Sequence, residues 1–209
     1  MPNFIAIAGN MGVGKSTLTL KLADRLGWKA FVEPVAQNPY LSDFFQDMER
    51  WGFHSQVFFL SHRLRQHCEL IKSGNAIQDR SVYENAEVFA RNLYKHGKMS
   101  EHDWATYKNI YESLIELVAP PSLIIYLHAS VPVLVQRIEN RGREFEQKVD
   151  PEYLGELNEL YEEWTTNFKL APVLRVDTDN INFIEDKEAL EKLSQEIMKS
   201  IPNQPLPLF

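Results

Sequence analysis

The residues best suited to chemistry near the amino terminus are a group of glycines followed by a lysine and two hydroxyl side chains. Residues 9–17 read GNMGVGKST and fit the pattern G-x-x-x-x-G-K-[ST]. Glycines let the backbone turn its N–H groups toward an anion, and a helix that follows adds the positive end of its dipole. The lysine reaches the β- and γ-phosphates, and the first hydroxyl is a ligand of Mg²⁺. The sequence therefore predicts a phosphate loop formed by Gly9, Asn10, Met11, Gly12, Val13, Gly14, Lys15, Ser16 and Thr17.

The elements around this loop favour a bound nucleotide over a glycine-rich turn without a ligand. Residues 4–8 are an apolar run typical of a buried parallel strand, and leucines at 18, 22 and 26 recur at helical spacing. Strands and helices alternate along the chain, which predicts an α/β fold with a parallel sheet covered on both faces. The predicted strands are 4–8, 30–33, 76–79, 123–127 and 173–176, and the predicted helices are 15–26, 53–72, 82–95, 102–118, 131–141, 151–169 and 185–199. We expect one domain over 1–209, with a proline-rich tail at 202–209.

Polar side chains follow the second and third predicted strands. Glu33 ends the second strand, and Asp79 and Arg80 end the third. Ligands of open α/β sheets lie beyond the carboxyl ends of the strands, so these groups are expected near the phosphate. Glu33 is a candidate general base for an acceptor hydroxyl, and Asp79 is a candidate Mg²⁺ ligand. Arg80 could clamp the acceptor oxygen or steady Glu33. The alternatives are a surface acid at a strand end and an ordinary ion pair between loop neighbours.

Three arginines lie close together further along the chain. Arg137 and Arg141 share one face of a predicted helix, and Gly142 and Arg143 follow them. Guanidinium groups this close repel unless they face an anion, so the cluster favours an arginine lid, residues about 137–150, that stabilises charge on a transferred phosphoryl group. The alternative is a solvated basic patch paired with Glu139, Glu144 and Glu146.

An aromatic segment at 51–60 surrounds a single amide, that of Gln56. An amide donates and accepts at once, as the recognition of a nucleobase edge requires. Arg63 lies two helical turns further along the same face, and Phe89 is a candidate to stack on a base. The residues themselves favour the alternative, in which the aromatics are core and the glutamine is a surface residue.

Composition limits the function classes. The chain has 209 residues, a net charge of −7 and one cysteine, Cys68. The acidic balance argues against nucleic acid as a partner, and the absence of a long apolar run argues against a membrane span. One cysteine fits a reducing, cytoplasmic compartment, where we expect Cys68 to be a buried apolar residue. The histidines show no paired metal spacing.

Taken together, the motifs resemble those of the deoxynucleoside kinases. The resemblance is carried in order by Gly9–Thr17, Glu33-Pro34, Gln56, Asp79-Arg80-Ser81 and Arg141-Gly142-Arg143. A narrower similarity to bacterial deoxyadenosine and deoxyguanosine kinases is carried by residues 38–41, 53–56 and 79–84, which read NPYL, FHSQ and DRSVYE.

The resemblance implies a P-loop kinase fold with five parallel strands, a homodimer, ATP and Mg²⁺ as cofactors, and a deoxynucleoside as the second substrate. It also implies a role for each site residue. At the reaction centre these are the general base (Glu33), the arginine beside the 5′-hydroxyl (Arg80) and the magnesium ligand (Asp79). Around the nucleoside they are the amide that reads the nucleobase (Gln56), its basic neighbour (Arg63), the aromatic ring that stacks on the nucleobase (Phe89) and the contact to the sugar 3′-hydroxyl (Glu146). The lid residues are Arg137, Arg141 and Arg143.

Two positions depart from the family pattern. Phe45 stands where the family often has a tyrosine on the 3′-hydroxyl, so either Tyr40 supplies that contact or Glu146 makes it alone. Asn85 stands where the family often has an aspartate beside the base. An amide donates as well as accepts, whereas a carboxylate only accepts, so base preference is open at this point.

Three functions fit these residues to different degrees. The leading one is transfer of the γ-phosphoryl of ATP to the 5′-hydroxyl of a purine deoxynucleoside. A nucleoside monophosphate kinase such as a thymidylate kinase is the second, but a carboxylate at Glu33 suits a neutral hydroxyl better than an incoming phosphate. The third is a nucleotide-binding switch without catalysis.

Overall fold

Five parallel strands form one sheet in the order β2-β3-β1-β4-β5. The computed structural model describes residues 3–33, 37–146, 149–183 and 185–201. In the central strand, Ile7 pairs with Asp79 of the third strand and Gly9 with Leu127 of the fourth, so three strand ends meet at one edge. The strands are β1 (Phe4–Gly9), β2 (Lys29–Phe31), β3 (Ala76–Asp79), β4 (Leu123–His128) and β5 (Val173–Asp177).

Helices cover the sheet between successive strands, as the alternating pattern predicts. They are α1 (Lys15–Leu26), α2 (Leu41–Gln46), α3 (Met48–Leu70), α4 (Val82–Glu84), α5 (Arg91–Lys95), α6 (Glu101–Ile115), α7 (Val131–Arg141), α8 (Pro151–Asn167) and α9 (Lys187–Ser200). A π-helical segment (Asn85–Ala90) joins α4 to α5, so 82–95 is continuous, and a 3₁₀ turn (Glu144–Glu146) follows α7.

The alternating side chains of β1 divide the core between the two faces of the sheet. Phe4 and Ala6 pack into a cluster with Leu60 of α3 and Leu157 of α8. Ile5 and Ile7 pack on the opposite face, in a cluster with Leu18 and Leu22 of α1, Leu134 of α7 and Ile197 of α9. Burial on both faces explains why the strands read as continuous apolar runs. The predicted α/β fold is confirmed.

The structure corrects several predicted boundaries. Helix α2 has no predicted counterpart, because six residues are too short to show helical periodicity. Helix α3 begins at Met48 rather than at residue 53. Asp47 caps this start, because its side chain accepts a hydrogen bond from the backbone N–H of Arg50 (3.0 Å). Strand β2 ends at Phe31, so Glu33 lies just past the strand. The tail at 202–209 lies outside the described residues.

Two further features bear on the sequence analysis. Cys68 is exposed, so the expectation of a buried thiol is wrong. Within the described part of the chain, every helix is too short or too polar to cross a bilayer.

Candidate active site

The phosphate loop leaves β1 through glycines that no other residue could replace without movement. Gly9 has φ +144°, and a Cβ there would lie 2.5 Å from the carbonyl oxygen of Leu127. Gly12 has φ +80°, and its Cβ would lie 2.9 Å from Ile138 Cγ1 and 3.0 Å from the Leu134 carbonyl. The loop therefore fits closely against β4 and α7.

A cavity of about 770 Å³ opens beside this loop at the carboxyl edge of the sheet. Loop residues Met11 to Thr17 form one end, and an aromatic and amide pocket forms the other. Glu33 and Arg80 lie on the wall, and the predicted lid residues lie at the rim. The residues that line the pocket and rim include Phe44, Phe45, Gln56, Asn85, Phe89, Arg137, Arg141, Arg143 and Glu146.

Lys15 lies buried at the base of the loop, where Nζ donates to the Asn10 carbonyl (2.8 Å). Burial, together with the charge of Arg80, lowers the pKa of Lys15 to about 8, although Asp79, Glu84 and Glu33 oppose the shift. A bound triphosphate would supply the negative charge that this buried ammonium lacks.

Ser16 and Asp79 form the part of the site suited to magnesium. The Ser16 hydroxyl donates to Asp79 Oδ2, and Asp79 is fully buried. Asp79 Oδ1 has no hydrogen-bond partner in the described part of the chain. A hydroxyl and a carboxylate oxygen fit Mg²⁺, which is often bound by one or two protein oxygens together with substrate phosphates and water. The described residues include no group of three or more His, Cys, Asp and Glu side chains that could hold a metal.

Glu33 is held between two buried guanidinium groups. Its Oε1 accepts from Arg63 Nη2 (2.5 Å), and its Oε2 lies 3.2 Å from Arg80 Nε. Burial alone would raise the pKa of Glu33, but the charges of Arg80, Arg63, Lys15 and Arg143 lower it below the ordinary value. The carboxylate therefore stays ionised at neutral pH.

Arg80 has the only positive φ among the described residues other than glycine, at +67°. Such a conformation costs about 1–3 kcal/mol and persists only where the surrounding contacts fix it. Its guanidinium lies 4.2 Å from the centre of the Phe89 ring, and Nε lies 3.7 Å from Glu84 Oε1. Burial lowers the pKa of Arg80, but Glu33, Tyr161, Glu84 and Asp79 outweigh burial and raise it overall. Arg80 is therefore a fixed cation in the cavity wall.

Glu84 and Tyr161 are fully buried residues next to the start of the phosphate loop. The sequence analysis assigned no role to either of them. The Tyr161 hydroxyl lies 2.7 Å from the Gly9 carbonyl and also contacts Glu84 Oε1. A hydroxyl has one proton, so both contacts are hydrogen bonds only when Glu84 is protonated. Burial raises the pKa of Glu84 against the pull of Arg80, the direction this arrangement requires. The run DRSVYE contains Glu84, but no pattern links it to Tyr161.

At the far end of the cavity, Gln56 and Asn85 form the polar part of the pocket beside Phe45 and Phe89. Asn85 Nδ2 donates to Gln56 Oε1 (3.3 Å), and Arg63 Nε donates to Asn85 Oδ1. Arg63 itself, expected in the base pocket, is not among the lining residues. It is 1% exposed and lies behind the wall, because three backbone and side-chain acceptors besides Asn85 hold its guanidinium there.

The predicted lid residues have two different environments. Arg137 is anchored, since it donates to the carbonyls of Thr178 (2.6 Å) and Ile181 (3.2 Å). Arg141 and Arg143 both pair with Glu146 at the rim. Helix α7 ends at Gly142, which has φ +68°. Residues 147 and 148 of the predicted lid lie outside the described residues.

Besides Arg63, four predicted residues are not among those that line the cavity: Gly9, Asn10, Tyr40 and Asp79, the last of which lies buried behind Ser16. Tyr40 packs against Trp51 and His54, with ring centroids 5.8 and 5.6 Å away. Asn10 donates to the Leu154 carbonyl (2.8 Å), which joins the loop to α8. Gly9 provides the turn described above. Of the two alternatives for the sugar contact, Glu146 lines the cavity and Tyr40 does not.

A glycine loop between a parallel strand and a helix, with a buried lysine, defines a nucleotide-binding protein of the P-loop class. The sequence profile of the family described as deoxynucleoside kinase matches residues 5–202. This chain therefore belongs to the deoxynucleoside kinase family, and it is an enzyme that phosphorylates nucleosides.

The sequences of individual relatives align with this chain over nearly their full lengths. The chain is 37% identical over 202 residues to deoxyadenosine/deoxycytidine kinase of Bacillus subtilis (strain 168), covering 95% of this chain and 93% of that protein. It is 36% identical over 207 residues to deoxyguanosine kinase of the same organism, covering 95% and 97%. A solved structure of deoxyadenosine kinase from M. mycoides with bound dCTP superposes with a TM-score of 0.81 at 30% identity, covering 95% of this chain and 100% of that one.

Proposed function

We propose that this enzyme transfers the γ-phosphoryl group of ATP to the 5′-hydroxyl of a purine deoxynucleoside, in nucleotide salvage. The observation that carries the proposal is the position of Glu33 and Arg80. Both lie on the wall of one cavity, between a phosphate loop at one end and an amide and aromatic pocket at the other. The purine is supported by relatives named for deoxyadenosine and deoxyguanosine, the first of which is also named for deoxycytidine.

Glu33 acts as the general base. Its lowered pKa keeps the carboxylate ionised, and Arg63 and Arg80 hold both oxygens in place. The carboxylate takes the proton of the 5′-hydroxyl as the oxygen attacks phosphorus. Since phosphoryl transfer has a loose transition state, positioning matters more than the strength of the base. Arg80 orients the attacking oxygen and stabilises the charge that develops on it.

The donor end is built for the triphosphate. Residues 9–17 surround the β- and γ-phosphates with backbone N–H groups, and Lys15 adds a cation. Ser16 and Asp79 are the residues that would hold Mg²⁺, which neutralises charge on the phosphates when bound. Asp79 Oδ1, buried and without a partner in the described part of the chain, is the oxygen available for this role.

Arg141 and Arg143 stabilise the transferred group from a lid of residues about 137–150. Both arginines pair with Glu146. Their side chains are 35% and 39% exposed, respectively. A phosphoryl group that moves between the two substrates would compete with Glu146 for these two charges. Arg137 fixes the base of the lid through its carbonyl partners and faces the nucleotide. Glu146 is the acceptor for the sugar 3′-hydroxyl.

The deoxynucleoside occupies the other end of the cavity. Phe89 stacks on the base, Gln56 hydrogen-bonds its edge, and Phe45 and Asn85 complete the wall. Arg63 supports this wall from behind. We further propose one domain over 1–209, a homodimer and a cytoplasmic location, in line with the family resemblance and the single cysteine.

The test is a panel of acceptors incubated with ATP and Mg²⁺. Deoxyadenosine, deoxyguanosine, deoxycytidine and thymidine are each compared with the corresponding 5′-monophosphate, and products are separated by chromatography. We expect 5′-monophosphate from at least one purine deoxynucleoside and little turnover of the monophosphates. Consumption of ATP only with a monophosphate acceptor would contradict the proposal, as would nucleotide binding without turnover of any acceptor.

A further inference from the structure

The carbonyl side of the phosphate loop contacts one face of α8. Because a loop that points N–H groups at an anion points many of its carbonyls away from it, those carbonyls need donors from the surrounding protein. At the start of the loop the donor is a side chain, since the Tyr161 hydroxyl lies 2.7 Å from the Gly9 carbonyl. On the other side, Gly9 packs closely against the Leu127 carbonyl of β4. The start of the loop is thus held between β4 and α8.

Asn10, the second residue of the loop, is bonded to the same face of α8 through its side chain. Its Nδ2 donates to the Leu154 carbonyl and to Asn158 Oδ1, both at 2.8 Å, and its Oδ1 accepts from the backbone N–H of Met11 (2.7 Å). Asn158 in turn donates Nδ2 to the Ala129 carbonyl (3.0 Å). Both N–H bonds of the Asn10 amide are therefore used, and turning the amide over would set its oxygen against the Leu154 carbonyl.

These contacts reach the buried cation of the site through one peptide group. The Asn10 carbonyl accepts a hydrogen bond from Lys15 Nζ (2.8 Å). The contacts of the Asn10 side chain with α8 therefore fix the peptide to which Lys15 is bonded. Since a lysine at this position of a phosphate loop reaches the β- and γ-phosphates, a shift of Asn10 would displace the ammonium from its place beside the triphosphate.

The residues of α8 that contact the loop share one face of the helix. Leu154, Asn158 and Tyr161 lie four and three positions apart, which places them one above another. The Tyr161 ring is fully buried and stacks on Tyr126, with ring centroids 5.5 Å apart. Burial raises the pKa of the Tyr161 hydroxyl well above its ordinary value, so the hydroxyl keeps its proton. Helix α8 thus presents fixed groups to the start of the loop.

We propose that Asn158 and Tyr161 are positioning residues for phosphoryl transfer, which hold the first two residues of the phosphate loop, and through Asn10 the ammonium of Lys15, in the geometry that binds the triphosphate. Neither residue is among those that line the cavity, so both act through the loop rather than on a substrate. A misplacement of about 1 Å can cost about a hundredfold in rate, so such support matters. The proposal rests on the proposed function, because it takes ATP as the donor.

The test compares the affinities of the two substrates in Tyr161→Phe and Asn158→Ala, each measured by calorimetry. We expect the Kd for ATP to rise about fivefold or more in both variants, because each removes the partner of a buried polar group of the loop. The Kd for deoxyadenosine or deoxyguanosine, whichever the unmodified enzyme phosphorylates, should stay unchanged. A general loss of stability would not separate the two substrates in this way.

Two matched controls remove the same chemical groups from places that do not contact the loop. Tyr126→Phe removes a hydroxyl that donates to Glu162 (3.0 Å), from a ring stacked on Tyr161. Asn167→Ala removes an amide that donates to the Glu163 carbonyl of its own helix (2.8 Å). We expect both controls to bind ATP and the deoxynucleoside normally.

A double-mutant cycle tests whether Asn158 acts through Asn10. The kcat/KM for ATP is measured for Asn10→Ala, Asn158→Ala and the double variant. If the path runs through Asn10, the second change adds little, and the double variant should lie within about twofold of Asn10→Ala. Losses that multiply would show that Asn158 acts independently of the loop and would contradict the proposal.

Normal ATP affinity in Tyr161→Phe or Asn158→Ala would overturn the proposal, and so would equal losses for ATP and the deoxynucleoside. Either result would leave nucleoside phosphorylation by the unmodified enzyme intact. An unmodified enzyme that does not bind ATP would instead remove the proposed function and this inference with it.

Discussion

The charged residues in the cavity wall and directly behind it shift one another's pKa values. Arg63 and Arg80 keep Glu33 ionised, burial favours the protonated form of Glu84, and Lys15 is left with a lowered pKa. Cations face the place where a triphosphate would lie, and the carboxylates lie among them. The site is therefore organised for an anion before the anion arrives, which reduces the reorganisation needed during catalysis.

Lys15 gives the first prediction at this scale. Its pKa near 8 means that the ammonium is present below pH 8 and is lost as the pH rises through that value. We expect the affinity for ATP, measured by calorimetry, to weaken between pH 7.5 and 9 by up to about tenfold per pH unit beyond the midpoint. Lys15→Arg, whose cation does not titrate in this range, should bind ATP with little pH dependence. An equal decline in both proteins would exclude Lys15 as the titrating group.

The sequence was informative about single residues where a motif ties residue type to position. Four such residues lie at the carboxyl edge of the sheet, as their positions at or after strand ends predict: Lys15, Ser16, Asp79 and Arg80. Arg63 shows the limit: its spacing from Gln56 is right, but burial and hydrogen bonds place it behind the wall. The contact between Glu84 and Tyr161 joins residues 77 positions apart, which no local pattern can reveal.

At the scale of elements, strand ends do most of the positioning. The register of β1 against β3 sets Asp79 beside Ile7, so the acid lies next to the start of the phosphate loop. The π-helical segment Asn85–Ala90 carries Asn85 and Phe89 on the cavity side. Such segments often occur at functional sites. Long periodic helices were predictable, whereas α2 and this segment depend on tertiary packing.

The fit of the loop against α7 gives a prediction at this scale. Gly12→Ala would place a methyl group 2.9 Å from Ile138 Cγ1 and 3.0 Å from the Leu134 carbonyl. We expect the loop to move away from α7 and ATP affinity, measured by calorimetry, to fall at least about tenfold, a loss of about 1.4 kcal/mol.

Gly27→Ala is the matched control, because Gly27 also has positive φ, at +67°, but a Cβ there meets nothing within 4 Å. It should cost about 1 kcal/mol of unfolding free energy and leave ATP affinity unchanged. Normal ATP binding by Gly12→Ala would show that nucleotide binding does not require the close packing of the phosphate loop against α7.

At the scale of the whole molecule, the sheet separates two cores, and the cavity lies where helices of both meet. The loop and α7 belong to one side, and α3 and the π-helical segment belong to the other. The strand and helix alternation was enough to predict these layers. The contacts that close the cavity join residues distant in sequence, so pocket residues such as Gln56 and Phe89 were predictable through the family resemblance and not from local patterns.

Because the cavity is lined by residues from both layers, we expect a nucleotide bound in it to stabilise the entire fold. ATP at 100 times its Kd should add about 2.7 kcal/mol to the free energy of unfolding. For a chain of this size we expect Tm to rise by roughly 5–10 °C, measured by scanning calorimetry. Inorganic phosphate at the same concentration is the control and should give a much smaller rise. No shift with ATP would argue against a preformed triphosphate site.

The claim on which the rest depends is that Glu33 takes the proton of the acceptor hydroxyl. The most direct measurement is the single-turnover rate of Glu33→Gln with saturating ATP, Mg²⁺ and deoxynucleoside, beside Glu139→Gln, which removes an exposed carboxylate from α7. We predict a loss of about 10²–10⁴-fold for Glu33→Gln, with ATP affinity nearly unchanged, and a normal rate for Glu139→Gln. A Glu33→Gln enzyme that folds, binds both substrates and keeps the full rate would contradict the account.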